Sequence, residues 1–279
     1  MPIGIAVLIL FGVFEKKWAA EPIIPCGIFS PTTVAIFVWG FAHGFILYTL
    51  LVYQPLFFQA VFRQTPSQAA MSIRPFCCPL VAFSFLAPII SRMIPGKCNL
   101  LIQINWLLVL VVGTLWCMVD RNTSWAIIYA IQTVLGACLG FIFTGTQFRV
   151  RTGAYRISDS ARTMGMLAIF QLLGALLSLT LSSGIFGSRF GNGFAYLESL
   201  GPIPVQIKPL VSVNQAVGFI PALRTVEVSD WMMGKLIRVY EEAFLLVWIA
   251  MELFAIIGMV SSRCVGNVPD IEDNRRRSE

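Results

Sequence analysis

An all-α polytopic membrane protein is the fold class this sequence predicts, and three observations predict it. Apolar stretches long enough to cross a bilayer recur six times between residues 32 and 262. Short charged loops separate most of them. Only 12% of the 279 residues are charged against 57% hydrophobic, and mean hydropathy is +0.79. Soluble domains carry about 25% charged residues, so there is too little polar surface here to coat a water-soluble globule, and lipid must be the solvent for much of the chain.

The first apolar run, residues 3–14, falls short of the roughly twenty residues that a crossing needs. It lacks a basic n-region and a small-residue cleavage site, so it does not read as a signal peptide. Glu15, Lys16 and Lys17 follow at once, and residues 1–31 read as a partial span, its beginning missing, with a cytosolic linker. Five spans follow within residues 32–186, at 32–53, 71–90, 99–119, 125–146 and 164–186. Residues 187–242 turn richer in Gly, Pro and Asn and then charged, which predicts an extracellular loop with an amphipathic helix over 229–242. The last span is 243–262. Residues 263–279 are a short charged cytosolic tail, disordered from Pro269.

The basic residues set the orientation. With the first run ending in the cytosol, that side holds Lys16, Lys17, Arg92, Lys97, Arg149, Arg151, Arg156, Arg162, Arg263, Arg275, Arg276 and Arg277. The short outer loops hold Arg63, Arg74 and Arg121. This asymmetry places the C-terminus in the cytosol. Trp106, Trp116, Trp125 and Trp248 scatter too unevenly to form an interfacial belt.

Two spans have marked internal features. Pro75, Pro79 and Pro88 interrupt the second, and each removes a backbone donor. The freed carbonyls need partners from neighbouring helices or from a wet cavity, which makes this a kinked packing helix or a cavity-lining hinge. Gly136 and Gly140 in the fourth span, and Gly174, Ser178 and Ser182 in the fifth, repeat at helical spacing and allow close helix approach.

Polar groups at membrane depth are the candidate site. A charged side chain at the centre of a span costs about 2.5–3.5 kcal/mol on insertion scales. Glu252, near the middle of the last span, therefore stays protonated or faces a wet interior. It reads as a proton carrier or as a neutral packing group. His43 and Gln54 lie eleven residues apart on the first span, close to three helical turns, so they share a side. Gln132 and Gln147 lie on the fourth span and Gln171 on the fifth. These amides read as bonds between helices or as the polar wall of a substrate cavity.

Other chemistries are excluded. The net charge is +6, but the basic residues lie between spans and form no stripe with interleaved aromatics, so no nucleic-acid partner is expected. The seven cysteines fall mostly inside or beside apolar runs, without a CxxC, and read as packing residues. His43 is the only histidine, which excludes His-rich zinc or haem sites; neither metal nor cofactor is expected. Asn122-Thr123-Ser124 fits a glycosylation pattern in a loop too short to be used. No nucleophile elbow, phosphate loop or zinc-protease motif occurs, so the chain is not expected to be an enzyme.

Several stretches together resemble the fungal fourteen-span drug:proton antiporters of the major facilitator superfamily. The run from Glu15-Lys16-Lys17-Trp18 to Pro25 is similar to that family's linker before its ninth span. Ala42-His43-Gly44 opens a span ending Tyr53-Gln54-Pro55-Leu56-Phe57-Phe58-Gln59-Ala60-Val61, similar to the family's "YLPLYFQAV", with Thr65-Pro66-Ser67 after it. Asp159-Ser160-Ala161-Arg162-Thr163-Met164-Gly165 resembles the cytosolic approach to the thirteenth span. Phe219-Ile220-Pro221-Ala222-Leu223-Arg224 and Val247-Trp248-Ile249 resemble the approach to the last. There are departures. Phe170-Gln171-Leu172-Leu173-Gly174-Ala175 lacks the family's arginine and second glycine, Ala69-Ala70 stand where the family has Ser-Gly, and Arg74 replaces an apolar residue.

The resemblance covers essentially the whole chain in order. It implies the six-span C-terminal bundle of the major facilitator fold, preceded by the end of the eighth span, and hence a chain truncated and inactive alone. The complete protein would export small organic compounds, drugs or toxins, in exchange for protons. Its partners would be that substrate, protons, the lipid bilayer, and the missing N-terminal six-span bundle or a full-length relative. His43, Gln54, Gln132, Gln147, Gln171 and Glu252 would be the half-site on the substrate or proton pathway, with Asp159 and Arg162 at the cytosolic gate. Self-protection favours the plasma membrane, with the vacuolar membrane as the alternative. The competing function is a non-transporting fragment or regulatory membrane protein that pairs with a full-length relative.

Overall fold

The structure, a computed structural model, describes residues 10, 14, 31–94, 97–153, 157–199, 216–225 and 229–264. Most of the partial first span and its linker, residues 200–215 and 226–228 of the expected loop, and the charged tail from residue 265 lie outside the described residues. The described chain forms helices α1 (Pro31–Val61), α2 (Pro66–Ser72), α3 (Arg74–Met93), α4 (Cys98–Cys117), α5 (Trp125–Gly153), α6 (Ile157–Ser199) and α7 (Asp230–Cys264), with a 3-10 turn at Ile220–Arg224. All but α2 are long and apolar enough to cross a membrane. The chain is an integral, multi-pass membrane protein.

The helices differ from the apolar windows in ways with local causes. The first runs on past Pro55 to Val61, where Gln59 Nε2 donates back to the Pro55 carbonyl at 3.3 Å. The second apolar window is divided at Ile73. Thr65 and Gln68 form a reciprocal capping box, Gln68 N donating to Thr65 Oγ1 at 3.2 Å and Thr65 N to Gln68 Oε1 at 3.0 Å, and so start α2. Pro75 then occupies the first turn of α3, where its missing donor costs nothing within the helix. Pro79 and Pro88 stay inside α3. The Ser84 carbonyl, four residues before Pro88, instead accepts from Thr144 Oγ1 of α5 at 2.7 Å. That is the partner from a neighbouring helix that a proline at membrane depth demands.

Residues 187–199 form helix where the composition predicts the start of a loop. Phe186, Phe190, Phe194 and Leu197 make one buried stripe that continues α6, and Val239 of α7 closes over Gly193. Packing along that stripe outweighs the poor helix propensity of Gly187, Gly191 and Gly193. Likewise the expected amphipathic helix and the last span are one continuous helix, α7. Leu236, Tyr240, Ala243, Phe244, Val247 and Met251 bury a single stripe through both.

Helix α1 packs along both α6 and α7, α3 lies along α5, and α4 bridges α5 and α7. Two of these seams are glycine-cut. A Cβ on Gly44 would overlap the Gln171 backbone, and one on Gly174 would overlap the Phe41 carbonyl, so α1 and α6 meet backbone to backbone. Gly136 and Gly140 of α5 stand in the same way against the carbonyls of Phe76 and Leu80 on α3. Without a hydrophobic drive between helices in lipid, such close approach is a main source of association.

The two ends of the bundle are chemically distinct. Arg92, Lys97, Arg149, Arg151, Arg162 and Arg263 lie at or beside helix termini that the alternating chain direction brings to one end. The other end is aromatic. Phe57 and Phe58 of α1, Phe62 just after it, Trp116 of α4, Trp125 of α5, Phe186 of α6, and Tyr240, Phe244 and Trp248 of α7 form a continuous set of ring contacts. Trp116 and Trp248 thus meet inside the fold, Trp125 joins them at its exposed edge, and Trp106 is buried elsewhere, against Gly258. Arg63, two residues past the end of α1, has φ 54°, a conformation uncommon outside glycine. Its guanidinium donates to the Leu223 and Arg224 carbonyls at 3.3 Å each, which ties the 3-10 turn onto this end.

Candidate functional site

The polar groups of α1 and α5 meet along one seam. His43 is buried and stacks on Phe143 at 5.6 Å. Its Nε2 lies 3.1 Å from the Leu139 carbonyl and donates to it when that nitrogen carries the proton. Gln132 Nε2 donates to Gln54 Oε1 at 3.4 Å, and both side chains are fully buried. Residues 132, 139 and 143 recur at spacings of seven and four, one face of α5, and they oppose residues 43 and 54, one face of α1. The antiparallel pairing places Gln54–Gln132 about 16 Å along the seam from His43.

The amide pair is incompletely satisfied. One bond uses the Gln132 nitrogen and the Gln54 oxygen, while Gln54 Nε2 and Gln132 Oε1 are buried with no partner. An unpaired donor and an unpaired acceptor therefore stand together between two helices. Leaving such groups unmet costs about 1–3 kcal/mol each. A ligand that presents both an acceptor and a donor would recover that cost.

The remaining candidates lie in other seams. Gln171 of α6 stands against Gly40 and Gly44 of α1, its Nε2 buried without a partner. Ser178 and Ser182 continue that face of α6, fully buried, each hydroxyl without a partner. Gln147 is half-buried on α5 beyond the His43 level. Glu252 is set apart from the amide pair. It projects from α7 against Gly113 of α4, where any side chain would overlap its carboxyl, and both of its oxygens are buried without a partner. Asp159 lies in the first turn of α6, but its side chain is outside the described residues. Arg162, one turn further on, is exposed at the basic end.

Sequence reasoning found the amides and the small residues but not their pairing, nor the place of Gly113. Span-one and span-four periodicity, read together with antiparallel order, was the signal for the first. Nothing in the sequence marks the second, because Gly113 is one small residue in an apolar run.

No family model matches the chain. It is similar to the MFS-type transporter sphD of Aspergillus fumigatus, 29% identical over 273 residues that cover 95% of this chain and 45% of that protein. It is similar to the MFS-type efflux pump MMF1 of Mycosarcoma maydis, 28% identical over 78% of this chain and 36% of that protein. A third relative, efflux pump FUS6 of Gibberella fujikuroi, is 22% identical over 92% of this chain and 46% of that protein. The chain thus spans less than half the length of these curated relatives. Among solved structures, a bacterial homolog to the human lysosomal transporter Spinster, in an inward-facing and occupied conformation, superposes with a TM-score of 0.61. It is 16% identical and is matched over 85% of this chain and 49% of that one.

The six-span helical bundle and this structural likeness show that the chain shares the fold of that solved protein. The chain is a relative of the fungal transporters and efflux pumps of the major facilitator superfamily.

Proposed function

We propose that the chain forms the C-terminal six-span bundle of a proton-coupled efflux transporter for small organic compounds. It would act with an N-terminal bundle, on the same polypeptide or on a full-length relative. The observation that carries the reading is the half-satisfied Gln54–Gln132 pair, a buried donor and acceptor between two spans. Polar groups at such depth are costly and mark substrate or ion paths, and the relatives are named as efflux pumps. In these folds two bundles rock about a site at their interface. His43, about 16 Å along the same seam, and Gln171, in the neighbouring seam between α1 and α6, extend the polar surface. Asp159 and Arg162 contribute the gate at the basic end, and Glu252 is the proton-bearing group.

The test is dye or drug export from a hypersensitive yeast, with the chain expressed alone and with the N-terminal half of a relative. Export is expected only with the second bundle. Replacing both Gln54 and Gln132 by Leu, which keeps volume but removes the unpaired polar atoms, should lower it at least about 10-fold, as the loss of two buried hydrogen bonds predicts. Undiminished export in that double variant would overturn the reading. So would stable pairing with a relative and no export under any condition, which is the behaviour of a regulatory fragment. Glu252→Gln in the active pair separates out the proton role: an unchanged pH dependence of export removes it.

A further inference from the structure

Gly113 of α4 differs from the other glycines that face a neighbouring helix. The places that a Cβ would take on Gly44, Gly136, Gly140 and Gly174 are held by backbone of the partner helix, and the place on Gly258 by the Trp106 ring. The place beside Gly113 is held by an ionisable group, the Glu252 carboxyl of α7. Both carboxyl oxygens are buried there, and neither has a hydrogen-bond partner. A carboxyl buried with neither a bond nor a cation is costly, so this notch gains nothing that an apolar side chain would not supply. What it does is close the group off. The next residue on α7, Leu253, is 57% exposed, so an open surface lies one position away at the same depth.

The helices around Glu252 bring no charge to it. There is no Asp, Glu, Lys or Arg in α1 or α4, none in α6 between Arg162 and Arg189, and none but Glu252 itself over residues 243–262 of α7. His43 of α1 turns to the Leu139 carbonyl of α5, Tyr53 packs among Phe186 and Phe244, and Tyr48 is exposed. Cys117, one turn beyond Gly113, is the titratable side chain on which a Glu252 charge acts. The seat is therefore made of α4 and α7 alone.

We propose that Gly113 is a positioning residue for proton transfer, its missing side chain seating the Glu252 carboxyl so that it exchanges its proton only when α4 and α7 part. The role presupposes that Glu252 bears the proton, and it adds where the proton is held and which seam releases it. The step is a proton transfer alone. The carboxyl O–H gives its proton to water that reaches the opened seam, and the carboxylate takes one back from water in the same way. Rocking of helical bundles during transport supplies such an opening. A methyl group at position 113 would keep the carboxyl out of its seat in every state, and exchange would no longer follow helix movement.

The seat is tested on the detergent-purified chain alone with dicyclohexylcarbodiimide, an apolar reagent that adds to a protonated carboxyl without a leaving group. Mass spectrometry of the peptide carrying residue 252 reads the rate. Gly113→Ala should speed labelling about 5-fold, the shift in population that mild overpacking of the seated position gives. Leu253→Glu in a Glu252→Gln chain puts one carboxyl on the exposed face without touching Gly113, and it should label faster than Glu252 does in the unaltered chain. Equal rates in either comparison would overturn the proposal. The positioning role is read in the exporting pair of bundles, where Gly113→Ala should change the pH dependence of export as Glu252→Gln does. An unchanged pH profile in Gly113→Ala beside an altered one in Glu252→Gln would overturn the positioning role and leave the proton role of Glu252 standing. Unchanged profiles in both would remove the proton role, and the positioning role with it.

Discussion

Glu252 and Gly113 are a matched pair across α4 and α7, one residue supplying a carboxyl and the other the room for it. Gly113→Ala should therefore turn the end of the flexible Glu252 side chain aside, at a cost of about 1 kcal/mol, the low end for overpacking. Adding Glu252→Ala should restore most of that loss. Thermal unfolding of the detergent-solubilised single and double variants checks it, and additive losses would show that the two side chains do not meet. In the loop between α4 and α5, Asp120 accepts from Thr123 Oγ1 at 2.8 Å and from Asn122 N at 3.0 Å. These bonds, that to Thr123 foremost, hold its carboxyl below the ordinary value of 3.8. A carboxylate depressed by folding stabilises the fold above its unfolded pKa and loses that contribution as pH falls through the folded one. Asp120→Asn should lower the unfolding temperature slightly near neutral pH, and the difference should vanish as the pH drops below 3.8. A difference constant with pH would mean that the charge is not what organises the turn.

At the scale of elements, glycines on one helix have opposite roles. Gly174 of α6 touches the α1 backbone, whereas Gly165, less than three turns earlier, has open space where a Cβ would go. Gly174→Ala should destabilise the bundle by about 1–3 kcal/mol through separation of α1 from α6. Gly165→Ala should be neutral or should stabilise by up to about 1 kcal/mol through helix propensity. The two unfolding curves measured side by side decide whether the α1–α6 seam is held by close approach. Equal effects would mean that it is not. The small-residue stripes were legible in the sequence, since Gly136, Gly140, Gly174, Ser178 and Ser182 repeat at helical spacing. Their partners were not, because a stripe specifies closeness and not which helix comes close. The extension of α6 to Ser199 was obscured for a related reason. Gly187, Gly191 and Gly193 read locally as loop, and only Phe186, Phe190 and Phe194 packed on α7 hold them in helix.

For the molecule as a whole, six crossings bring the start of α1 and the end of α7 to the same end of the bundle, together with Arg92, Lys97, Arg149, Arg151 and Arg263. By the positive-inside rule that end is expected to face the cytosol. An epitope tag after Glu279 should be protected from protease in intact cells and cleaved after permeabilisation. Cleavage in intact cells would invert the topology. The aromatic end is more thoroughly knitted than the basic one. It gathers rings from α1, α4, α5, α6 and α7, and Tyr240 Oη donates to the Ala216 carbonyl at 2.8 Å.

The sequence by itself determined the membrane setting, the number of described spans, their order and their charged end. Those properties follow from composition along the chain, which lipid reads one segment at a time. It also marked the buried amides, because a polar side chain in an apolar run is visible without a partner. Only the tertiary structure decided that Gln54 meets Gln132, that His43 meets the Leu139 carbonyl, and that Glu252 lies apart against Gly113. In lipid every apolar face is equally well solvated. Which faces come together is therefore set by shape and by hydrogen bonds between helices distant in sequence, and that pairing is not written in any one span.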